Sequence, residues 1–246
     1  MKITVVTVCL NVEKTIQNTM ESVLNQTYQD IEYIIMDGRS SDRTVEIIKA
    51  YQNDTRIKFV SERDTGLYNA MNKATQMSTG DYIVFMNSGD VFYDNTVIAD
   101  LVPHLDADIV YGNTIRVYPN QEIRETYHGR YKVIRMLLMG KMMCHQSMFT
   151  KTSVMQRYGF DEQYSICADY DFVVRAKKNK CSMRYVDRDV SMVDSVEGIS
   201  SQLKNYDCMR MEDDRSLKRN MPFLYGIICL PKGIYRCIYD TFIMKK

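Results

Sequence analysis

The sequence predicts an α/β fold, a mainly parallel sheet flanked by helices with a C-terminal helical extension. Two observations carry this. Through roughly the first half of the chain, short apolar runs rich in Ile and Val alternate with amphipathic stretches, the rhythm of β-α-β units. The length, 246 residues of which 45% are hydrophobic and 26% charged, suffices for one α/β domain with a large core and an appendage.

The elements follow in order. Ile3–Cys9 reads as a buried first strand and residues 13–25 as a helix, with Ile16, Met20, Val23 and Leu24 on one face. Residues 31–36 form the next strand and residues 37–42 a turn. Residues 43–52 form a helix for which Ser41 or Asp42 suits the N-cap. A strand at 57–60, a helix at Leu67–Met77, a strand at 81–86, a helix at 95–103 and a strand at 108–111 complete the alternation. Ligands of such sheets bind beyond the carboxyl ends of the strands. After Gly112 the rhythm breaks: 114–118 and 122–127 alternate as a hairpin around Pro119-Asn120. Residues 132–143 read as a Met- and Leu-rich helix, 146–150 as a strand and 169–178 as a helix. A polar, mobile segment is expected at 195–202. The tail from Lys204 is charged, then apolar and aromatic from Pro222.

Bulk properties exclude several classes. A net charge of +1 offers no global field for nucleic acid. Seven cysteines, an odd number without a C-x-x-C pair, argue for reduced thiols in a cytoplasmic protein, not for disulfides or zinc. The apolar start is short, β-branched and followed by Glu13 and Lys14, so it reads as a strand rather than a signal peptide. No run reaches the roughly 18 apolar residues that span a bilayer.

Four segments carry candidate chemistry. Asp37 closes the second strand in Met36-Asp37-Gly38-Arg39-Ser40-Ser41-Asp42; it reads either as a turn-capping acid or as an acceptor for a base or ribose. Arg63 and Asp64 precede the helix at Leu67, where they cap it or face a nucleotide. The buried strand ending in Asn87-Ser88-Gly89-Asp90 puts a carboxylate in a small polar loop, suited to Mg²⁺ or Mn²⁺ beside a diphosphate. Out of context it is also an ordinary turn. Asp169 and Asp171 open a helix, where either stabilises the dipole or one acts as a general base. Beside these four, Cys144-His145-Gln146 precedes a strand and reads as a buried polar cluster or an acceptor-side element.

In this order the segments resemble the family 2 glycosyltransferases of GT-A fold, the Rossmann-like fold of nucleotide-diphospho-sugar transferases, particularly bacterial enzymes that build surface polysaccharides. The likeness spans roughly residues 2–178. It rests on Thr7-Val8-Cys9-Leu10-Asn11, Met36-Asp37-Gly38 with Ser41-Asp42-Arg43-Thr44, Asp64-Thr65-Gly66-Leu67-Tyr68-Asn69-Ala70-Met71-Asn72, the segment from Gly80 to Asp90, and Ala168-Asp169-Tyr170-Asp171. Each is loose; five at matching intervals are specific.

The resemblance implies a nucleotide-binding half at about 1–112, an acceptor-side half at about 113–203, and a C-terminal extension at 204–246 that contacts membrane or a second copy. It implies a donor pocket of Thr7, Val8, Leu10, Asn11, Asp37, Arg63, Asp64, Asn72, Asn87, Ser88 and Gly89. It places the metal, Mn²⁺ or Mg²⁺, on Asp90 and makes Asp169 the base of an inverting displacement. His145, Gln146 and Asp171 are the acceptor-side candidates. A UDP-sugar is the expected donor, and a saccharide hydroxyl on a lipid diphosphate the expected acceptor, at the cytoplasmic membrane face. Two departures stand out. Many relatives carry Asp-Ser-Asp-Asp where this chain has Asn87-Ser88-Gly89-Asp90, and Glu-Asp where it has Ala168-Asp169. A sugar nucleotidyltransferase is the first rival, but it needs a Gly-rich basic loop where Leu10-Asn11-Val12-Glu13-Lys14 stands. A catalytically inactive nucleotide-sugar-binding or scaffold protein is the second, opposed by the presence of Asp169. Basic residues Lys132, Arg135 and Lys141 beside Leu137, Leu138 and Met139, and the apolar-basic tail, are the candidate membrane contacts.

Overall fold

The computed structural model describes residues 1–126, 133, 137, 142–195 and 205–226. Strands β1 (Ile3–Cys9) and β2 (Ile31–Asp37) are buried along their whole length, which explains why both read as continuous apolar runs rather than alternating ones. They pair in parallel. β3 (Ile57–Ser61) joins the outer side of β2, and β4 (Tyr82–Phe85) joins the inner side of β1, both also parallel. The connecting helices are α1 (Ile16–Leu24), α2 (Thr44–Ala50) and α3 (Leu67–Met77). The parallel sheet expected from the alternation is therefore present in β3-β2-β1-β4.

The second half turns the sheet mixed. β5 (Val91–Phe92), α4 (Val97–Leu101) and β6 (Ile109–Tyr118) follow, and β7 (Gln121–Glu125) folds back on β6 as the expected hairpin. β8 (Met148–Lys151) inserts antiparallel between β4 and β6, and β9 (Met183–Asp194) runs parallel to β6. α5 (Thr152–Tyr158), α6 (Ala168–Lys178) and α7 (Tyr206–Asn220) complete the described elements.

Side-chain alternation along β1 divides two cores. Ile3 and Val5 join Ile16, Met20, Val23, Ile48, Val97 and Leu101, so α1, α2 and α4 cover one face. Val6 and Val8 join Met71, Met155, Phe172 and Leu217, so α3, α5, α6 and α7 cover the other.

Differences from the sequence expectations have local causes. The first helix starts at Ile16, because Val12 opens a turn whose carbonyl accepts the Thr15 and Ile16 amides. The expected strand at 146–150 starts two residues later, after a 3₁₀ turn at His145–Ser147. α5, β5 and β9 were not legible, being short or interrupted by Asp and Arg. The expected helix at 132–143 and the polar segment at 195–202 lie largely outside the described residues.

Gly112 marks the close approach of β6 and β9, at the register shift between Tyr111 and Asn113. A Cβ there would stand 2.5 Å from both the Arg188 carbonyl and Val190 Cγ2, and backbone cannot yield as a side-chain tip does. Gly112→Ala is expected to cost about 1–3 kcal/mol, lowering the melting temperature by about 2–4 °C for each kcal/mol in a chain of this size. Unchanged thermal unfolding would refute the close approach.

Candidate active site

β1, β2 and β4 are parallel, so their carboxyl ends open on one edge, and β8 runs against β4, bringing its leading turn to that edge. Ile83 pairs with Thr150; the same register carried on sets Asn87 opposite Gln146. Strand order thus brings the Asn87–Asp90 loop and the His145–Ser147 turn together across 56 residues of sequence between Asp90 and Gln146.

The loop is a tight turn closed by the Asp90 amide on the Asn87 carbonyl at 3.0 Å. Gly89 sits at φ +100°, in the region that favours glycine. A Cβ-bearing side chain at this backbone conformation is strained, so the turn as it stands favours glycine at this position. Thr19 of α1 pins the turn, accepting from the Gly89 amide at 3.1 Å and donating to the Asp90 carbonyl at 2.9 Å, while Thr15 shares a hydrogen bond with Ser88. The Asp90 side chain is buried, with Gln146 Nε2 donating to its Oδ2 at 2.6 Å. Burial pushes the Asp90 carboxyl up to about 6, against the partial relief of the Gln146 hydrogen bond. Among the described residues no lysine or arginine forms an ion pair with it.

Asp169 stands in the first turn of α6, its side chain 18% exposed. His145 Nδ1 lies 2.9 Å from Asp169 Oδ2. An ionised carboxylate only accepts, so Nδ1 carries the proton. The Tyr170 amide donates to Asp169 Oδ1 at 2.8 Å, and the Tyr68 hydroxyl, which donates to the Ile166 carbonyl, lies 3.4 Å from the same oxygen. The approach to α6 is held from outside the expected segments. Glu212 of α7, itself buried, accepts the backbone amides of Ser165, Ile166 and Cys167 at 2.6, 2.9 and 2.8 Å.

Asp171 is a correction. Expected as an acceptor-side candidate, it is 1% exposed and points into the fold. It pairs with Arg175 at 2.5 Å and accepts from Ser216 Oγ and Asn220 Nδ2. A shift of two helical positions separates the roles here, because residues two apart on a helix face different sides.

The donor-side residues divide. Leu10, Asn11, Asp37 and Asp64 converge at the ends of β1, β2 and β3: Leu10 is 54% exposed, and a Cβ on Gly38 would lie 2.8 Å from Asp64 Oδ2 and 3.4 Å from Leu10 Cδ1. Asn11, at φ +54°, accepts the Ser41 amide on its side chain. Asp37 is 1% exposed, and its oxygens accept from Ser40 Oγ and Ser61 Oγ, both at 2.5 Å. It performs the turn-capping job in this structure. Arg63 is exposed in the β3–α3 loop. Thr7 and Val8 lie within the strand, Thr7 donating to the Met86 carbonyl at 2.7 Å. Asn72 is committed to packing: it accepts the Phe160 amide and donates to the Phe160 carbonyl and Glu162.

Sequence reasoning missed Thr15, Thr19, Tyr68, Glu212 and Asp194. The amide of Asp194 at the end of β9 hydrogen-bonds Asp90, and its carboxylate opposes ionisation there. Glu212 sits in Met211-Glu212-Asp213-Asp214-Arg215, which reads as a solvated face, and no local signal marks its partners.

Comparison with known proteins gives the family and the fold. The sequence profile of glycosyl transferase family 2 matches residues 4–165. A PGL/p-HBAD biosynthesis glycosyltransferase of Mycobacterium tuberculosis is 28% identical over 202 residues, covering 79% of this chain and 77% of that protein. Chondroitin synthase of Escherichia coli is 29% identical over 170 residues, 67% of this chain and 25% of that one. In fold, S. aureus TarS 1–349 in complex with UDP-GlcNAc superposes with a TM-score of 0.73 at 18% identity, over 90% of this chain and 68% of that one. A mannosyltransferase from Pyrobaculum calidifontis in complex with GDP-Man and Mn²⁺ gives 0.69 at 16%, over 93% and 69%.

Proposed function

The chain belongs to glycosyl transferase family 2, and on that premise we propose that it is an inverting transferase acting on a nucleotide-diphosphate sugar, with a saccharide hydroxyl as acceptor. The observation that carries the reading is the meeting of Asp90 and Asp169 at one sheet edge, held by the adjacent residues Gln146 and His145. Asp169 takes the proton of the acceptor hydroxyl as its oxygen attacks the anomeric carbon and the bond to the diphosphate breaks. A carboxylate has lone pairs beyond those used by His145 and Tyr170, so one remains for this proton.

The residues present fit a divalent cation. Asp90 is a buried carboxylate without a cationic partner among the described residues, and Asn87 Oδ1 is a buried oxygen with no hydrogen-bond partner. Both are hard oxygen ligands. Among the described residues no three His, Cys, Asp or Glu converge, so a Mg²⁺ or Mn²⁺ held here would take most of its oxygens from the diphosphate and water. Bound there, the ion would supply Lewis-acid neutralisation of the leaving diphosphate. Leu10, Asn11, Asp37, Arg63 and Asp64 are proposed to line the nucleoside end, with uridine as the base.

We place the acceptor on a lipid diphosphate at the cytoplasmic membrane face. Among the described residues no helix is long and apolar enough to cross a membrane. Phe223 is 78% exposed, beside a 490 Å³ cavity whose lining includes Lys177, Lys178, Pro222 and Leu224, an apolar and basic surface suited to anionic lipid. A panel of UDP-, GDP- and dTDP-sugars with Mn²⁺, assayed for hydrolysis and for transfer to lipid-diphosphate saccharides in vesicles, tests the whole reading. Release of UDP from one UDP-sugar is expected; turnover of none would overturn it.

A further inference from the structure

We infer that the turn His145-Gln146 sets the two reacting carboxylates relative to one another, with His145 the positioning residue for Asp169. The inference rests on the reading of Asp169 as the base. Gln146 donates to Asp90 and His145 donates to Asp169, so two adjacent residues of one rigid turn hold groups 79 positions apart in the chain (90 and 169). The turn itself cannot drift. Ser147 closes it, its amide bonding the Cys144 carbonyl at 3.0 Å. Its hydroxyl sits in a buried cluster with Thr114 Oγ1, Ser191 Oγ and the Asn113 carbonyl at 2.7, 2.7 and 2.9 Å.

The imidazole is fixed at both nitrogens. Nδ1 faces Asp169, and Nε2 faces the Asn87 side chain at 3.0 Å. Asn87 Nδ2 gives its hydrogen to the bare Nε2 of the ring, which leaves Nδ1–H on Asp169 and Asn87 Oδ1 unused. Asn87 belongs to the loop that carries Asp90, so the metal loop, the imidazole and the base form one hydrogen-bonded chain. The carboxylate plane of Asp169 is held at two points, by His145 on Oδ2 and by the Tyr170 amide on Oδ1. Without the first, rotation about Cβ–Cγ turns the proton-accepting oxygen away from the hydroxyl it must meet, and positioning errors of this size reduce rate more than binding.

His145→Phe, which fills the space without a donor, is expected to lower kcat by about 10–100-fold, with the affinity for UDP and Mn²⁺ by calorimetry within about twofold of wild type. His145→Gln, which restores a donor at similar reach, is expected to recover part of that loss. A His145→Phe variant that keeps its kcat, or that loses UDP affinity in step with kcat, overturns the inference. Should the wild type turn over no sugar nucleotide, the functional reading fails, and the positioning is still read directly. The chain has three histidines, so nitrogen-15 imidazole spectra resolve His145. The Nδ1–H signal is expected in the wild type and a smaller Nδ1–H fraction in Asp169→Ala; identical spectra would refute it.

Discussion

Asp169→Asn is expected to reduce sugar transfer by about 10²–10⁴-fold, the share a general base contributes, while UDP and Mn²⁺ still bind. Asparagine keeps the size of the side chain and one oxygen for the Tyr170 amide, but not a second for the His145 donor, so the helix start stays in place while the proton acceptor and the His145 hydrogen bond are lost. Asp171→Asn supplies the contrast. Its carboxylate faces Arg175, Ser216 and Asn220 inside the fold, and breaking a buried pair costs about 3–5 kcal/mol. That variant is expected to melt earlier and, at temperatures where it is folded, to retain transfer. Transfer kinetics and thermal unfolding on both proteins decide the matter. Full activity in Asp169→Asn, or loss confined to Asp171→Asn, would move the base elsewhere.

The second large effect concerns Asp90. Asp90→Asn is expected to abolish Mn²⁺-dependent UDP binding and, without metal, to make the protein more stable at pH 7.5. The folded-state value is raised, to about 6 against 3.8. Below about pH 4 the carboxyl is protonated in both states and nothing is lost. As pH rises through 6, the folded state must carry a buried anion that the unfolded chain carries in water. Two units or so at about 1.4 kcal/mol each set a ceiling near 3 kcal/mol on this cost. The gain from the amide substitution should therefore be present at pH 7.5 and vanish near pH 4. Melting curves against pH and calorimetry with UDP and Mn²⁺ provide the check. A variant no more stable at pH 7.5, with Mn²⁺-dependent affinity intact, would sink the assignment.

Under the proposed role, this cost is that of a site that awaits a cation. Asp90 has one side-chain amide donor and no lysine or arginine in an ion pair with it among the described residues, whereas several other acids are paired with a base. Arg175 answers Asp171, Arg188 answers Asp94 and Asp100, and Lys58 answers Glu32.

Much of this was legible in the amino-acid order. Runs such as Ile3–Cys9 and Ile31–Asp37 are too apolar to lie anywhere but inside a sheet covered on both faces, and the helix at Leu67–Met77 was bounded to the residue. Asp37, Asp90 and Asp169 were visible because each stands where a buried run or a helix begins or ends. Other features carried no local signal. Glu212 is one acid among several in the charged stretch after Lys204, yet it accepts three amides ahead of α6. Asp171 looked as available as Asp169, and two residues of helical rotation turned it inward.

The sequence by itself determined the parallel half of the sheet, the family, and the acids at its carboxyl edge, because hydrophobic period and turn chemistry are local. Only the tertiary structure decided which of those acids meet. Insertion of β8 against β4 places His145 and Gln146 between Asp169 and Asp90, and strand order is set by long-range burial rather than by any neighbouring residues. The same packing shaped the Asn87–Asp90 loop. Gly89 serves a turn with φ +100°, pinned by Thr19 from a helix 70 residues away, and Asp90 is the loop's one carboxylate.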